Sequence, residues 1–327
     1  MIYPNYSLEQ IESCLQEVLR KNKSLNRNDV VMAIIDSQIH VYCGTSGYFF
    51  DWWFSNTLSS AYKLDVKGFY PKNVAKKGAL KYYSSFLNIV EINSTFYKLP
   101  SPKTVKDWYT MTPKNFKFIV KFSKYATESK KLIDFEINFD TFWFDRLDNL
   151  KEKCAGVLIQ MPPSFVYNPK KKGVDGLTTL ERIVKCGKYM RSIDKTPQIF
   201  IEFRSKSWYG SDNSKVIDAL KEIGWSMVFV NLNNTFLKFG DMISGMNPNL
   251  SIDNITTPKS VYVRFHGTSS TPYKGVYSLD FLLELKSMVK SYGINNIFFM
   301  FNNTDSLSVY DNKYLPDAII NAMMSLE

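Results

Sequence analysis

Residues 89–93 read Ile89-Val90-Glu91-Ile92-Asn93, and residues 199–204 read Ile199-Phe200-Ile201-Glu202-Phe203-Arg204. Each segment is a short run of β-branched and aromatic residues that ends in charged or amide side chains. Such a run is typical of a buried strand whose last residues meet a polar site. Because side chains alternate along a strand, Glu91 and Asn93 point the same way, as do Glu202 and Arg204. The two segments therefore indicate buried strands of a sheet and a polar site at the ends of those strands.

Six further runs of the same kind occur, at residues 39–44, 116–121, 156–160, 226–231, 260–266 and 296–302. Segments with helical periodicity lie between the runs, for example residues 82–87, 142–150, 177–189, 216–223, 279–289 and 315–324. Strands that alternate with helices pair in parallel through right-handed crossovers, and eight such units predict a (β/α)₈ TIM barrel. A doubly wound sheet is the alternative, but no GxGxxG motif follows the first strand.

The first 38 residues stand apart from this alternation. Ser7 is suited to cap a helix, and Leu8, Ile11 and Leu15 follow at helical spacing. We therefore predict a short N-terminal helical extension over residues 1–38 and a barrel domain over residues 39–327.

Composition limits the class of protein. The chain has 327 residues with a formal charge of +10, from 41 basic and 31 acidic residues. That charge would suit nucleic acid or a small anionic ligand, although the lysines are dispersed rather than gathered in a stripe. No apolar run reaches the roughly 18 residues of a membrane span, and no secretory signal is visible, so we expect no membrane partner. The four cysteines have no paired spacing, so we expect reduced thiols in an intracellular, cytoplasmic protein.

Polar side chains end almost every predicted strand. They are Ser46, Glu91 and Asn93, Lys121, Gln160, Glu202 and Arg204, Asn231, Arg264 and His266, and Asn302 and Asn303. In a (β/α)₈ barrel the carboxyl ends of the strands form the mouth, where active sites lie. We therefore predict a ligand site there. Purely structural ion pairs, such as Glu202 with Arg264 or Glu91 with Arg204, are the alternative interpretation.

The residue types at the mouth suit acid–base chemistry on a small anionic or polyhydroxylated substrate. Glu91 and Glu202 would be the acid and base, and His266 is the one histidine placed to move a proton. Arg204 and Arg264 would clamp a carboxylate or phosphate. The other predicted contacts to the substrate are Asn93, Tyr97, Lys121, Gln160, Trp208, Asn302 and Asn303. Hydrolase, lyase and isomerase chemistry all fit this set.

Two other functions are kept as hypotheses. In the first, Glu91, Glu202 and His266 hold a divalent metal, and the chain is a phosphodiesterase or nuclease that acts on nucleic acid. Against it stand the positive side chains at the same mouth. In the second, the barrel binds a ligand without catalysis. No organic cofactor is predicted, because the sequence contains no dinucleotide-binding, Walker, HExxH or nucleophile-elbow motif.

The motifs in order along the chain resemble those of the YecE-like family, also called domain of unknown function 72. They are Gly44-Thr45-Ser46-Gly47-Tyr48, Glu91-Ile92-Asn93-Ser94-Thr95-Phe96-Tyr97, Gln160-Met161-Pro162-Pro163, Ile201-Glu202-Phe203-Arg204, Val263-Arg264-Phe265-His266-Gly267 and Phe301-Asn302-Asn303. The resemblance covers about residues 41–325. It implies a TIM barrel and brings no activity with it. Two positions depart from the family pattern: Glu128, where relatives carry His, and Asn231, where they commonly carry Asp.

Overall fold

The computed structural model describes residues 39–62, 67–193, 196–210, 213–233, 240–257, 259–310 and 313–326. The predicted N-terminal helix lies outside these residues. Eight parallel strands form a closed barrel: β1 (His40–Ser46), β2 (Ile89–Ile92), β3 (Lys117–Lys121), β4 (Cys154–Gln160), β5 (Ile199–Glu202), β6 (Ser226–Leu232), β8 (Ser260–Phe265) and β9 (Asn296–Phe301). Each strand pairs with the next in this order, and β9 pairs with β1 to close the ring. The predicted (β/α)₈ TIM barrel is confirmed.

Helices connect most of the consecutive barrel strands, and the last helix follows β9. Those of the described residues are α1 (Ser55–Tyr62), α2 (Ala79–Tyr83), α3 (Ser94–Tyr97), α4 (Pro102–Met111), α5 (Phe135–Trp143), α6 (Thr179–Arg191), α7 (Asn213–Ile223), α8 (Leu279–Ser291) and α9 (Asp317–Leu326). A hairpin of β10 (Leu307–Tyr310) and β11 (Lys313–Pro316) leads into α9. Helix α6 begins with a reciprocal capping box between Thr178 and Glu181, which satisfies two backbone N–H groups of its first turn.

Two predicted helices have different limits in the structure. The helix predicted over 142–150 is the end of α5 followed by a separate 3₁₀ segment, Leu147–Lys153. The apolar spacing continues across the break, because Phe142, Leu147 and Leu150 are all buried. The helix predicted over 82–87 ends at Tyr83 and continues only as turns, although Leu87 is buried as well. In both places the helical spacing of apolar residues comes from side chains that remain buried beyond the end of the helix, not from a longer helix.

An antiparallel strand, β7 (Gly245–Asn247), joins the barrel wall on the chain between β6 and β8. It pairs with Val230, Asn231 and Leu232 at the end of β6, whereas β5 pairs only with the beginning of β6. Because β8 occupies the other edge of β6, β7 lies on the side of β5 near the barrel mouth. The stretch 233–254, which falls outside the regular alternation in the sequence, thus supplies this extra strand.

The barrel interior and the layer under the helices are two separate apolar clusters. The inner cluster holds alternate strand positions: Ile89, Ile119, Leu158, Phe200, Val228, Tyr262 and Phe298. The residues between them, such as Val90 and Val120, pack in the outer cluster. Two positions further along the same strands are Glu91, Lys121, Gln160, Glu202 and Arg264. Alternation therefore stacks a polar layer directly on the apolar interior, at the carboxyl ends of the strands.

Three of the four cysteines belong to the described residues, and all three are free thiols. Burial raises the pKa of Cys43 and of Cys154 to about 12, so both stay protonated and unreactive at neutral pH. Within the described ranges, no helix combines the length and the apolar character that crossing a bilayer requires.

Candidate active site

Arg264 is the centre of the polar layer. Its Nε lies 2.9 Å from Oε2 of Glu91 and its Nη2 lies 2.8 Å from Oε1, so the guanidinium binds this carboxylate with two parallel hydrogen bonds. Its Nη1 donates to Oε2 of Glu202. Arg264 is 2% exposed, and both glutamates are fully buried. One arginine on β8 thus links carboxylates from β2 and β5 across the barrel.

A second arginine extends this network. Arg204 follows β5, and its Nε donates to Oε1 of Glu202 over 2.8 Å. Its Nη2 donates to Oε1 of Gln160 over 2.9 Å, and the same amide oxygen lies 3.3 Å from Nη1 of Arg264. Gln160 and Glu202 are neighbours in the register of β4 and β5. The two guanidinium groups are therefore held by two shared acceptors.

The charges around Glu202 fix its protonation state. Burial alone would raise the pKa of this carboxyl, but Arg264 and Arg204 hold it well below its usual range. Glu202 is thus a permanent anion at neutral pH. On the other side of Arg264, the hydroxyl of Tyr262 donates to Oε2 of Glu91. Burial, followed by the Glu91 charge, raises the pKa of Tyr262 well above its usual value, so the tyrosine stays a donor.

Lys121 differs from the two arginines. It ends β3, is 9% exposed, and its Nζ lies 4.0 Å from the centroid of the Phe96 ring. It forms no ion pair with any carboxylate of the described residues. Burial, followed by repulsion from Arg264 and Arg204, lowers the pKa of Lys121 from 10.5 to about 7. A buried amine near neutrality at a strand end marks a candidate functional group.

Above this layer opens a cavity of about 770 Å³. The residues that line it include Ser46, Asn93, Phe96, Lys121, Gln160, Arg204, Arg264, Tyr273 and Asn302, together with Glu128 and the exposed Phe49, Tyr97 and Asp305. Two buried polar atoms that face it, Oγ of Ser46 and Oδ1 of Asn93, have no hydrogen-bond partner among the described residues. Buried polar atoms normally form hydrogen bonds, so a ligand or water is expected to bind these two atoms.

Of the predicted site residues, seven line this cavity: Asn93, Tyr97, Lys121, Gln160, Arg204, Arg264 and Asn302. Glu91 and Glu202 lie beneath the cavity floor, behind the arginines. His266 is buried beside the site, where Nδ1 lies 3.1 Å from Nδ2 of Asn302. The structure therefore brings the arginines and Lys121 to the ligand space, whereas the two carboxylates of the same polar layer do not line it.

Trp208 and Asn303 lie away from the cavity. Trp208 is fully buried, its ring stacks on Phe203 with centroids 4.1 Å apart, and its Nε1 donates to the carbonyl of Phe165 over 2.7 Å. Asn303 is also fully buried, and its Nδ2 donates to Oδ1 of Asn321 and to the carbonyl of Gly275. Both sets of contacts stabilise the fold beneath the loops.

The structure adds Tyr262, which the sequence analysis did not select. Its hydroxyl donates to Glu91, and it lies two positions before Arg264 on β8. Strand alternation was therefore a usable signal for this residue. Of the two departures from the family pattern, Glu128 lines the cavity and pairs with Lys124 at 3.6 Å. Asn231 instead lines a separate cavity, where Oδ1 accepts from the hydroxyl of Tyr277.

The metal site considered for Glu91, Glu202 and His266 is not formed by these residues. Among the residues that the structure describes, no three His, Cys, Asp or Glu side chains converge as metal ligands would. The physical reason is visible at the two carboxylates. The guanidinium of Arg264 stands between Glu91 and Glu202, in the position that a cation would need.

Fold and site together define a (β/α)₈-barrel protein with a cationic, aromatic-walled cavity at the carboxyl ends of its strands. The family model described as "Protein of unknown function DUF72" matches residues 58–321, and the chain belongs to this family. The resemblance drawn from the strand-end motifs is thereby confirmed.

Three known proteins illustrate the relationship. The UPF0759 protein YunF of Bacillus subtilis (strain 168) is 30% identical over 167 residues, which are 49% of this chain and 55% of YunF. The match thus spans about half the length of that relative. A DUF72 family protein from Enterococcus faecalis V583 has 19% identity and a TM-score of 0.59, over 88% of this chain and 96% of that one. A DUF72 family protein from Thermotoga maritima MSB8 has 23% identity and a TM-score of 0.59, over 88% and 98%. At these identities the two structures support the fold.

Proposed function

We propose that this chain is an enzyme that binds a small anionic, hydroxyl-bearing molecule in the barrel-mouth cavity and performs acid–base chemistry on it. The observation that carries the proposal is Lys121, a cation 9% exposed that faces the cavity without a carboxylate partner among the described residues. A buried ammonium in this state is costly, and a bound anion would relieve that cost.

The charge balance of the cavity floor supports the same conclusion. Three cationic side chains, Lys121, Arg204 and Arg264, stand against two buried carboxylates, Glu91 and Glu202. Both carboxylates are already engaged by the arginines. A positive charge is therefore left over at the cavity, where low-dielectric walls strengthen its attraction for an anion. The acidic groups that line the cavity, Glu128 and Asp305, are more exposed to solvent than Lys121 and the two arginines, and Glu128 pairs with Lys124.

The remaining lining residues suit a ligand with hydroxyl groups and a flat or apolar face. Oγ of Ser46 and Oδ1 of Asn93 are buried atoms that still need partners. The rings of Phe96 and Tyr97, packed edge to face with centroids 5.1 Å apart, form part of the wall. A phosphorylated or carboxylated sugar-like molecule would use both kinds of contact.

The same contacts favour Lys121 over the glutamates as the group that exchanges a proton with the substrate. Glu202 is held as an anion by two arginines, so it is a poor general acid, and neither Glu91 nor Glu202 lines the cavity. Lys121 lines the cavity, and its pKa of about 7 suits proton transfer at neutral pH. In this proposal Glu91 and Glu202 are positioning residues that hold Arg204 and Arg264.

Calorimetric titration with inorganic sulfate and phosphate tests the binding step. We expect one saturable site near neutral pH, and Lys121→Met should weaken it roughly tenfold to a hundredfold, the effect of losing one charge-assisted contact. Lys117→Met is the matched control, because Lys117 is on the same strand but its Nζ donates to the carbonyl of Glu152. Equal affinity in Lys121→Met and the parent protein would overturn the proposal.

Turnover is tested with a panel of phosphorylated and carboxylated sugars, ranked first by binding. Consumption of a bound compound by the parent protein and its loss in Lys121→Met would support an enzyme. Compounds that bind through Lys121 yet are never converted would favour the non-catalytic ligand-binding barrel instead.

A further inference from the structure

We propose that Lys121 forms a covalent imine with a carbonyl group of the bound anion, so that the substrate class is an oxo acid or a phosphorylated aldehyde or ketone. This inference rests on the proposed function, because it uses the same cavity. The inference extends the proposed function, because it names the reactive group of the substrate and the bond that the protein forms with that group.

The placement of the amine is the first argument. Lys121 ends β3 and reaches the cavity from the polar layer, so its Nζ meets a ligand directly. Its backbone is fixed there, since Oγ1 of Thr95 donates to the carbonyl of Lys121 over 2.7 Å and to that of Ile92 over 3.0 Å. The Phe96 ring, 4.0 Å from Nζ, supports the amine from one side without accepting a conventional hydrogen bond.

Lys153 is the other buried lysine of the described residues, and its contacts differ from those of Lys121. Lys153 is 3% exposed, but its Nζ donates to the carbonyls of Tyr109 and Thr112 and to Oγ1 of Thr112. Those three acceptors require the protonated ammonium, whose nitrogen has no lone pair to offer. Lys121 has no such set of acceptors among the described residues, so its amine is able to lose its proton and act as a nucleophile.

The neighbouring charges also favour the neutral form of the Lys121 amine. Arg264 on β8 and Arg204, which follows β5, repel the proton of Lys121 more than Glu91 and Glu202 attract it. A cavity built only to bind an anion would be served better by a lysine that keeps its charge at every physiological pH. A buried amine that lines the cavity, lies against the Phe96 ring and has no ion pair among the described residues is placed to attack a carbonyl, and a pKa close to neutrality supports that role.

The step is balanced within the site. The Nζ lone pair attacks the carbonyl carbon, and the π electrons of the C=O bond move to its oxygen. Proton transfer from nitrogen to that oxygen gives a carbinolamine. A proton taken up from solvent lets its hydroxyl group leave as water while the nitrogen lone pair forms the C=N bond, so that the product is the protonated imine. One water leaves for each imine, and no oxidant or reductant takes part. The protonated imine is a cation, and the substrate's own anionic group would lie beside Arg204 and Arg264.

Reductive trapping tests this inference on the intact protein. The probes are glyoxylate and pyridoxal 5′-phosphate, each an aldehyde with an anionic group, and cyanoborohydride reduces any imine to a stable secondary amine. We expect one adduct per chain at low probe concentration, located at Lys121 by peptide mass mapping. At pH 7 an ordinary lysine, with a pKa of about 10.4, is neutral in fewer than roughly one molecule in a thousand, so labelling at Lys121 should exceed that at other lysines by about tenfold or more.

Variants and competition separate this inference from the proposed function. Lys121→Arg keeps the charge and should bind sulfate but resist trapping, whereas Lys117→Met should be trapped like the parent protein. Excess sulfate should slow the trapping at Lys121. Sulfate binding that depends on Lys121, combined with no adduct there or with labelling spread evenly over surface lysines, overturns the imine and leaves the anion site. Absence of any sulfate site overturns the proposed function itself.

Discussion

Arg264 and Glu91, which are 173 positions apart in the chain, form a buried bidentate ion pair with N–O distances of 2.9 and 2.8 Å. The same guanidinium also donates to Glu202. It thereby ties β2, β5 and β8 together at the level where the apolar interior of the barrel ends. The pair holds the cavity floor in place, and its contribution to the free energy of unfolding can be measured directly.

Replacing Arg264 with Met should strongly destabilise the barrel. The substitution leaves the carboxylates of Glu91 and Glu202 buried with less compensation, which typically lowers the free energy of unfolding by about 3–5 kcal/mol. Urea denaturation measures the loss. Adding Glu91→Gln to Arg264→Met should restore a large part of it, because one uncompensated charge is then removed.

A surface pair provides the control for this experiment. Lys103 and Asp107 form an exposed ion pair at 2.7 Å on α4. Lys103→Met should change the free energy of unfolding by less than about 1 kcal/mol. An Arg264→Met variant no less stable than Lys103→Met would contradict the structural role given to Arg264.

Sulfate affinity should fall as pH rises, because Lys121 loses its positive charge. Burial and the two arginines lower the pKa of this lysine to about 7, so it is charged below that pH and neutral above it. Sulfate keeps its own charge throughout, and an anion binds better to the charged lysine. Between about pH 7 and about pH 9 the dissociation constant should therefore increase by up to about tenfold per pH unit. Calorimetric titrations across this range measure the slope.

Lys121→Arg separates this effect from other titrations. Arginine stays protonated at all these pH values, so the variant should bind sulfate with nearly constant affinity. A pH slope as steep in Lys121→Arg as in the parent protein would mean that another group controls binding.

Gly44→Ala should disrupt the barrel wall. A Cβ at Gly44 would lie 2.1 Å from the carbonyl oxygen of Ile89, its register partner on β2, which is backbone and has no room to move aside. Overpacking of this kind lowers stability by about 1–3 kcal/mol or more. Gly78→Ala is the matched control: nothing lies within 4 Å of its Cβ position, and its φ of −92° suits alanine. That variant should be neutral or stabilised by up to about 1 kcal/mol in thermal and urea unfolding.

Trp208→Leu should lower stability and leave sulfate binding intact, because the Trp208 ring is buried against Phe203 and does not line the cavity. The expected loss is about 2–4 kcal/mol in the free energy of unfolding. Tyr97→Leu should leave the free energy of unfolding nearly unchanged, since Tyr97 lines the cavity with 77% of its surface exposed. Weakened sulfate binding in Trp208→Leu at a temperature where it is folded would show that the tryptophan reaches the ligand after all.

Much of the fold was predictable because its signals are local. The eight strands were located within a few residues, since each is a short apolar run that ends in a polar residue. Alternation along single strands also placed Glu202 and Arg204, and Arg264 and His266, on shared faces. The helix limits near Tyr83 and Trp143 were less accurate, because burial continues past the end of each helix and imitates helical spacing.

The sequence by itself determined the barrel, the family motifs and the set of polar side chains at the strand ends, because periodicity and strand alternation act over a few residues. Only the tertiary structure decided which of them meet. Closure of the barrel brought Arg264 between Glu91 and Glu202, moved Trp208 into the core, and left Lys121 facing the cavity with a lowered pKa. Ion pairing and desolvation depend on neighbours from distant strands, and no local pattern encodes them.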